Sequence, residues 1–363
     1  MKRSLGLLIA ACMLASGLAF AEEATIIDFG TLDADILPDG NGNPTQNSRT
    51  VMDFSVNAGS TYTESQKALM KTSLALSQWE VVLNSSSRNV ASITNSMVIP
   101  APVKESAEVP FAGSNVMGVR VSFPTWKANA NARIVPPYEI PAFDELISYD
   151  ENGNAADAQT DEEKASGATR FEKAYDSDTA AYGIVKNVGT VKSLAVTTYG
   201  MQFPHTLYVL LSDTDGVERR YFMGNLLFDG WKELQWENPS YLSEVRSREF
   251  RLYPLYPRGL PYVKFIGFQI VRDASMDGGD FVGYFKDVKI IYDKAVLETD
   301  RDIDDEDIWN IVTESEAKKQ AWEMSNFGQL QVNRFIEKNK MAEETGFQPT
   351  ITATEDEEPV TVQ

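Results

Sequence analysis

The chain has 363 residues, of which 43% are hydrophobic and 24% charged, and it carries a formal net charge of −20. That length can bury a sizeable core, and a surface this acidic repels phosphate backbones, which excludes nucleic acid as an expected partner. His205 is the single histidine and Cys12 the single cysteine, so histidine-based zinc sites and cysteine clusters are ruled out, and a serine triad would need His205 itself.

Residues 1–21 read as a secretory signal. Lys2 and Arg3 supply the charged start, residues 5–20 the apolar stretch, and Ala19-Phe20-Ala21 the small-x-small cleavage site before Glu22. A membrane span fits less well, because the run is short for a bilayer and acidic residues follow at once. Ile9-Ala10-Ala11-Cys12 faintly resembles a lipidation box but would leave a very short apolar stretch; otherwise Cys12 is one more residue of the signal. Cleavage after Ala21 removes Cys12, so the exported chain is expected to hold no disulfide and no thiol, and no membrane insertion is expected of it.

Residues 24–30 form a short opening strand, and 38–49, rich in Gly, Asn and Pro, a loop. Thr63 with Gln66 is a capping-box pattern, and Leu69, Met70 and Leu74 follow at helical spacing, so 64–76 reads as a helix or an ordered loop. Trp79, Val81 and Leu83 alternate as a strand, and Asn84-Ser85-Ser86 after it matches a glycosylation sequon, a three-residue pattern that chance supplies often. Residues 116–123 are the next strand, with Val119 and Val121 facing away from Arg120. The proline-rich segment 135–141 belongs at a sheet edge or in a connection, and 149–167 has few large apolar residues and reads as a solvated insertion.

Strands then come in quick succession at 183–188, 191–199, 206–212 and 219–223, the last two joined by the Asp213-Thr214-Asp215-Gly216 turn as a hairpin. Residues 263–271 are a β-branched and aromatic run ended by Arg272, Asp273 and Gly278-Gly279. The final strand alternates, with Tyr284, Lys286, Val288, Ile290 and Tyr292 on one face and Phe285, Asp287, Lys289 and Ile291 on the other. Beyond Asp293, Ile308, Ile311 and Val312 and later Trp322, Phe327, Leu330 and Ile336 predict one or two helices, with Gly328 as an interruption. The acidic residues after Thr345 predict a disordered tail.

Candidate chemistry is sparse. There is no Gly-x-Ser-x-Gly elbow and no glycine-rich phosphate loop. A carboxylate pair such as Asp229 with Glu237 arises readily by chance among 53 acids. Asp300-x-Asp302-x-Asp304 imitates a calcium loop but has Asp305 at the turn glycine and Ile311 at the bidentate Glu. No catalytic, cofactor or metal site is expected, and the chain is not expected to be an enzyme. The aromatics Trp231, Trp236, Tyr241, Tyr253, Tyr256 and Tyr262 fill a core, make interfaces, or stack on sugar rings; Trp231, Trp236 and Tyr256 are the candidate interface or sugar-stacking residues.

Several segments taken together resemble a known family: Trp79-Glu80-Val81-Val82-Leu83-Asn84, Val119-Arg120-Val121-Ser122-Phe123-Pro124, Pro136-Pro137-Tyr138-Glu139-Ile140-Pro141, Gly183-Ile184-Val185-Lys186-Asn187, Phe228-Asp229-Gly230-Trp231-Lys232, Pro254-Leu255-Tyr256-Pro257 and Gly278-Gly279-Asp280-Phe281 with 286–293. In order and spacing these resemble the outer-layer (sheath) proteins of spirochaete periplasmic flagellar filaments. The resemblance implies a structural protein of the periplasm that coats a core of flagellins. Its implied partners are those core flagellins and neighbouring copies of itself or other sheath proteins, with effects on filament stiffness, shape and motility. It brings no catalytic residue with it. A periplasmic carbohydrate-binding module is the alternative. The expected architecture is mainly β, a jelly-roll-like antiparallel sandwich of the galactose-binding-like class over 22–299 with long loop insertions, a helical segment at 300–344 and a tail at 345–363.

Overall fold

The computed structural model describes residues 21–38, 42–46, 51–125, 129–142, 144–145, 147–149, 155–157, 171–172, 182–249, 261–295, 303, 308–309 and 311–345. Twelve strands build two antiparallel sheets: β1 (Glu22–Asp28), β2 (Glu80–Leu83), β3 (Met97–Pro102), β4 (Asn115–Phe123), β5 (Asn131–Val135), β6 (Ile184–Lys186), β7 (Val188–Met201), β8 (Thr206–Asp213), β9 (Glu218–Asn225), β10 (Asp229–Glu237), β11 (Tyr262–Val271) and β12 (Gly279–Lys294). The first six-stranded sheet runs β10-β7-β12-β4-β3, with β1 also on β12, and the second runs β9-β8-β11-β5-β2, with β6 also on β11. The chain crosses repeatedly from one sheet to the other, as in a jelly roll. Short two-stranded pairings outside the sandwich join Ile36–Pro38 with Pro44–Gln46 and Val51–Asp53 with Lys71–Ser73.

Alternation explains which side chains meet. Leu194 and Val196 on β7, Val119 and Val121 on β4 and Val288 and Ile290 on β12 turn inward from the first sheet. Leu207 and Val209 on β8, Phe265, Phe268 and Ile270 on β11 and Ile134 on β5 turn inward from the second. Phe29, just after β1, puts its ring 5.7 Å from Phe268 and 5.6 Å from Trp79, whose indole N–H donates to the Leu74 carbonyl at 2.8 Å. Aromatic burial on this scale accounts for a core built without a disulfide.

The last strand departs from a plain alternation. Thr197 pairs with Asp287 and Thr198 with Phe285, so Lys286 is an extra residue in a β-bulge. The bulge shifts the phase, and Phe285 joins Val288 and Ile290 on the inner face instead of lying opposite them. Lys286, largely buried, forms an ion pair with Asp28 at the end of β1. Asp28 also accepts the Gly30 N–H at 2.8 Å, and a Cβ on Gly30 would stand 2.7 Å from the Lys286 Nζ.

Helices are few. α1 (Glu64–Ala68) has the capping box that Thr63 and Gln66 predict, but it stops well short of Leu76 because residues Lys71–Ser73 form a strand instead. α2 (Val90–Asn95) begins at an Asn89 cap, and α3 (Tyr241–Glu249) follows β10. α4 (Ile311–Thr345) is a single helix of 35 residues that runs through Gly328. Gly328 is a contact point rather than an interruption: a Cβ there would lie 2.2 Å from the Asn57 side chain. On the same face Phe327 meets the Tyr138 ring edge-on at 5.2 Å. Glu323 pairs with the buried Lys264 of β11 and accepts the Ala142 N–H at 2.8 Å, and Arg334 donates to the Pro137 carbonyl. The proline-rich segment is thus a connection clamped under α4.

Candidate interaction surfaces

The solvent face of the first sheet carries an aromatic row. Tyr199 on β7 stands opposite Trp231 on β10 and Tyr284 on β12, Tyr284 faces Gly118 on β4, and Gly118 faces Ile99 on β3. These positions alternate with Val196, Phe285 and Val119 in the core, which is why they point outward. Trp231 meets Tyr199 at 5.3 Å and Phe111, from the β3–β4 loop, at 4.8 Å, both edge-on, and Tyr199 meets Tyr284 at 6.0 Å. Gly118 keeps the row low at its centre, since a Cβ there would come within 3.1 Å of Ala101. Nearby, Arg120 and Asp280 pair at 2.5 Å, and the guanidinium holds the Asp280 carboxyl below its usual range.

Trp236 lies on the other face of the same strand. It pairs with the fully buried Leu194, and its ring meets Tyr221 at 4.7 Å where β9 and β10 close one edge of the sandwich. Burial there pushes the Tyr221 hydroxyl up from its ordinary pKa. An odd spacing along a strand puts Trp231 and Trp236 on opposite faces, so they do not form one stacking surface. Tyr256 and Tyr253 lie outside the described residues. Tyr241 donates to the Asp293 carboxylate at 2.9 and 3.0 Å, and Tyr262 lies under Lys264 and Lys319 at 5.5 and 5.6 Å. Both act as packing and tethering groups.

The titratable candidates resolve into structural roles. His205 is 3% exposed among Phe123, Phe203 and Phe281, and its Nδ1 accepts the Asp273 N–H at 3.3 Å. Burial lowers its pKa to about 4, so it is a neutral acceptor at neutral pH. Asp229 and Glu237 close opposite ends of β10, about 26 Å apart for an extended strand, far beyond the separation at which two carboxylates share a glycosidic bond. Among the described residues no group of three or more His, Cys, Asp or Glu could hold a metal ion. The Asn84 side chain is engaged with Asn129, Asn131 and Ser87, which gives it a turn-forming role. The residues 300, 302 and 304 of the calcium-like spacing lie outside the described residues, as do most of the 149–167 insertion and everything after Thr345. No described helix is long and apolar enough to cross a membrane.

A family model described as flagellar filament outer layer protein FlaA matches residues 43–301. The chain belongs to this family. A flagellar filament outer layer protein of Treponema pallidum (strain Nichols) is 55% identical over 351 residues, which span 97% of this chain and 98% of that protein. One of Spirochaeta aurantia is 42% identical, spanning 96% of this chain and 95% of that protein. Among solved structures, carbohydrate-binding modules of the β-sandwich superfamily align over 70% of this chain and 70% of theirs, at 11% identity and a TM-score of 0.28, a likeness too slight to bear on function. For this member of the filament outer layer family, the matched segment holds every strand of the sandwich except β1 and ends before α4. The match therefore takes in both sheets and the aromatic row.

Proposed function

We propose that this chain is exported to the periplasm, loses residues 1–21, and forms part of an outer layer around a flagellin core. In that position it contacts core flagellins and neighbouring layer subunits and contributes to filament stiffness, shape and cell motility. The carrying observation is identity to a filament outer layer protein over nearly the whole of both chains. The described residues are consistent with it: His205 is a buried acceptor for the Asp273 N–H, Asp229 and Glu237 stand at opposite ends of one strand, and both sheets present a solvent face. The test is fractionation of native filaments. The protein is expected to co-sediment with them, and a strain lacking it to keep a filament of altered diameter or curvature. Absence from intact filaments rejects the reading.

Carbohydrate binding is the second reading, and the Tyr284-Tyr199-Trp231 row is the observation in its favour. Trp231 meets its neighbours edge-on, and Trp236 is turned inward, so the row offers a narrow platform. Titration with peptidoglycan fragments and common glycans, read by tryptophan fluorescence, separates the two; a saturable change supports this reading.

A further inference from the structure

The last two strands of the sandwich hold its middle. β12 lies between β7 and β4 in the first sheet and also pairs with β1, and β11 lies between β8 and β5 in the second and also pairs with β6. Without these two strands the first sheet divides into β10–β7 and β4–β3 and the second into β9–β8 and β5–β2, while β1 and β6 keep no ladder partner. A lone two-stranded pairing is marginal in water at best. The core divides with the sheets, because Phe265 and Phe268 of β11 and Phe285, Val288 and Ile290 of β12 are fully buried within it.

The first strand depends on the last one. Ammonium groups of β12 fasten both ends of β1: Lys286 pairs with Asp28, 258 residues away in sequence, and Lys294 pairs with Glu22 at 2.8 Å. Between these ends Ile26 and Ile27 are fully buried, and Phe29, next after the strand, meets Phe265 and Phe268 of β11. Pairings so distant in sequence form late, since the chain between them must be ordered first. Synthesis delivers residues 22–28 well before 279–294.

We infer that β11 and β12 are a closing latch that times leader removal. Until residues 262–294 are present the sandwich stays open, β1 has nowhere to dock, and the bond between Ala21 and Glu22 stays accessible to a leader peptidase. Such an enzyme takes its substrate as an extended strand with free backbone on both sides of the bond. Once β1 is laddered to β12 from Glu22 onward, that backbone belongs to the sheet and cutting slows. The fold thus opens a window for processing that ends when the last strand arrives, and it keeps the chain unfolded until then. The inference rests on the reading of residues 1–21 as a removable leader.

The test uses the full-length precursor, residues 1–363, diluted from urea and given purified leader peptidase after increasing delays, with pulsed hydrogen exchange on the same samples. The refolded precursor is expected to be cut at least about tenfold more slowly than the freshly diluted one. Cutting is expected to fade as the β12 amides gain protection, and the amides of β3, β4, β7 and β10 to gain theirs together with β12. Val288→Asp, which puts a charge in the buried middle of β12, is expected to stay cleavable at every delay. The latch is overturned by protection of β4 and β7 while β12 still exchanges, by a refolded precursor cut as fast as the freshly diluted one, or by an unfolded Val288→Asp chain that becomes resistant. A freshly diluted precursor that is not cut at all rejects the leader reading instead, and the order of protection then decides the latch by itself.

Discussion

Phe268 and Phe285 stack across the middle of the sandwich, with ring centroids 4.6 Å apart and planes at 24°. Each comes from a different sheet, and Phe285 reaches the interface because of the bulge at Lys286. Replacing either with Ala removes a fully buried ring from a core with no disulfide among the described strands. A loss of about 3–5 kcal/mol is expected in urea or guanidinium unfolding, with an unchanged slope.

Gly328 and Asn57 set a second test, this time of how α4 is attached. Gly328→Leu drives a side chain into Asn57 and is expected to destabilise the docked helix by about 1–3 kcal/mol. Earlier proteolytic nicking near α4, with the sandwich left intact, is the readout. Combining Gly328→Ala with Asn57→Gly relieves the clash and adds helix propensity, so that double variant is expected to keep the helix as protected as in the wild type.

The pair Lys264 and Glu323 holds the same helix from the side of β11. Both side chains are largely buried, and Glu323→Leu leaves the ammonium only the longer contact with Glu139 at 3.5 Å, so the variant is expected to cost about 2–4 kcal/mol. Lys264→Met with Glu323→Leu replaces the pair by apolar contacts and is expected to recover most of that loss. A double-mutant cycle in thermal unfolding measures the coupling.

His205 makes the fold sensitive to mild acid. Its pKa is about 4 in the folded chain against an ordinary value near 6.5, because burial disfavours the imidazolium. The unfolded chain therefore takes the proton first. The histidine's contribution is fully present above pH 6.5 and is lost as pH falls from there through 4. Allowing for solvent screening, about 1–2 kcal/mol is expected to disappear between pH 7 and pH 5. In His205→Gln, melting temperature against pH is expected to be flatter over that window.

Much of this architecture is written in side-chain alternation, and what escaped has identifiable causes. β4, β7 to β9 and β11 are long enough for the period of two to stand out, and the 213–216 turn marks its hairpin, whereas β10 (Asp229–Glu237) was not read as a strand because Trp231, Leu234 and Trp236 do not keep that period. β3 (Met97–Pro102) was hidden by its two prolines, which an edge strand tolerates and a central one does not. β5 (Asn131–Val135) has only five residues and lies just before a proline run. The face assignment in β12 failed before Lys286, where Tyr284 points outward and Phe285 inward, because a bulge is a property of the partner strands as much as of its own sequence. Gly328 reads as a helix breaker in isolation; only the nearness of Asn57 shows why a glycine stands there. At the candidate surface, Trp231 and its outward neighbours follow from alternation once strand register is known.

The bulge in β12 also has a bearing on how the N-terminus can be handled. Before Lys286 this strand is bonded to β4, and after it to β1, so residues Glu22–Asp28 continue the line of β4 along the same side of β12. The ladder starts at Glu22, which pairs with Tyr292. An affinity tag or an unprocessed leader would leave directly from a hydrogen-bonded residue, with no slack between it and the sheet. A carrier attached at the C-terminus does not extend β1, and that end is the attachment point to choose for labelling or purification.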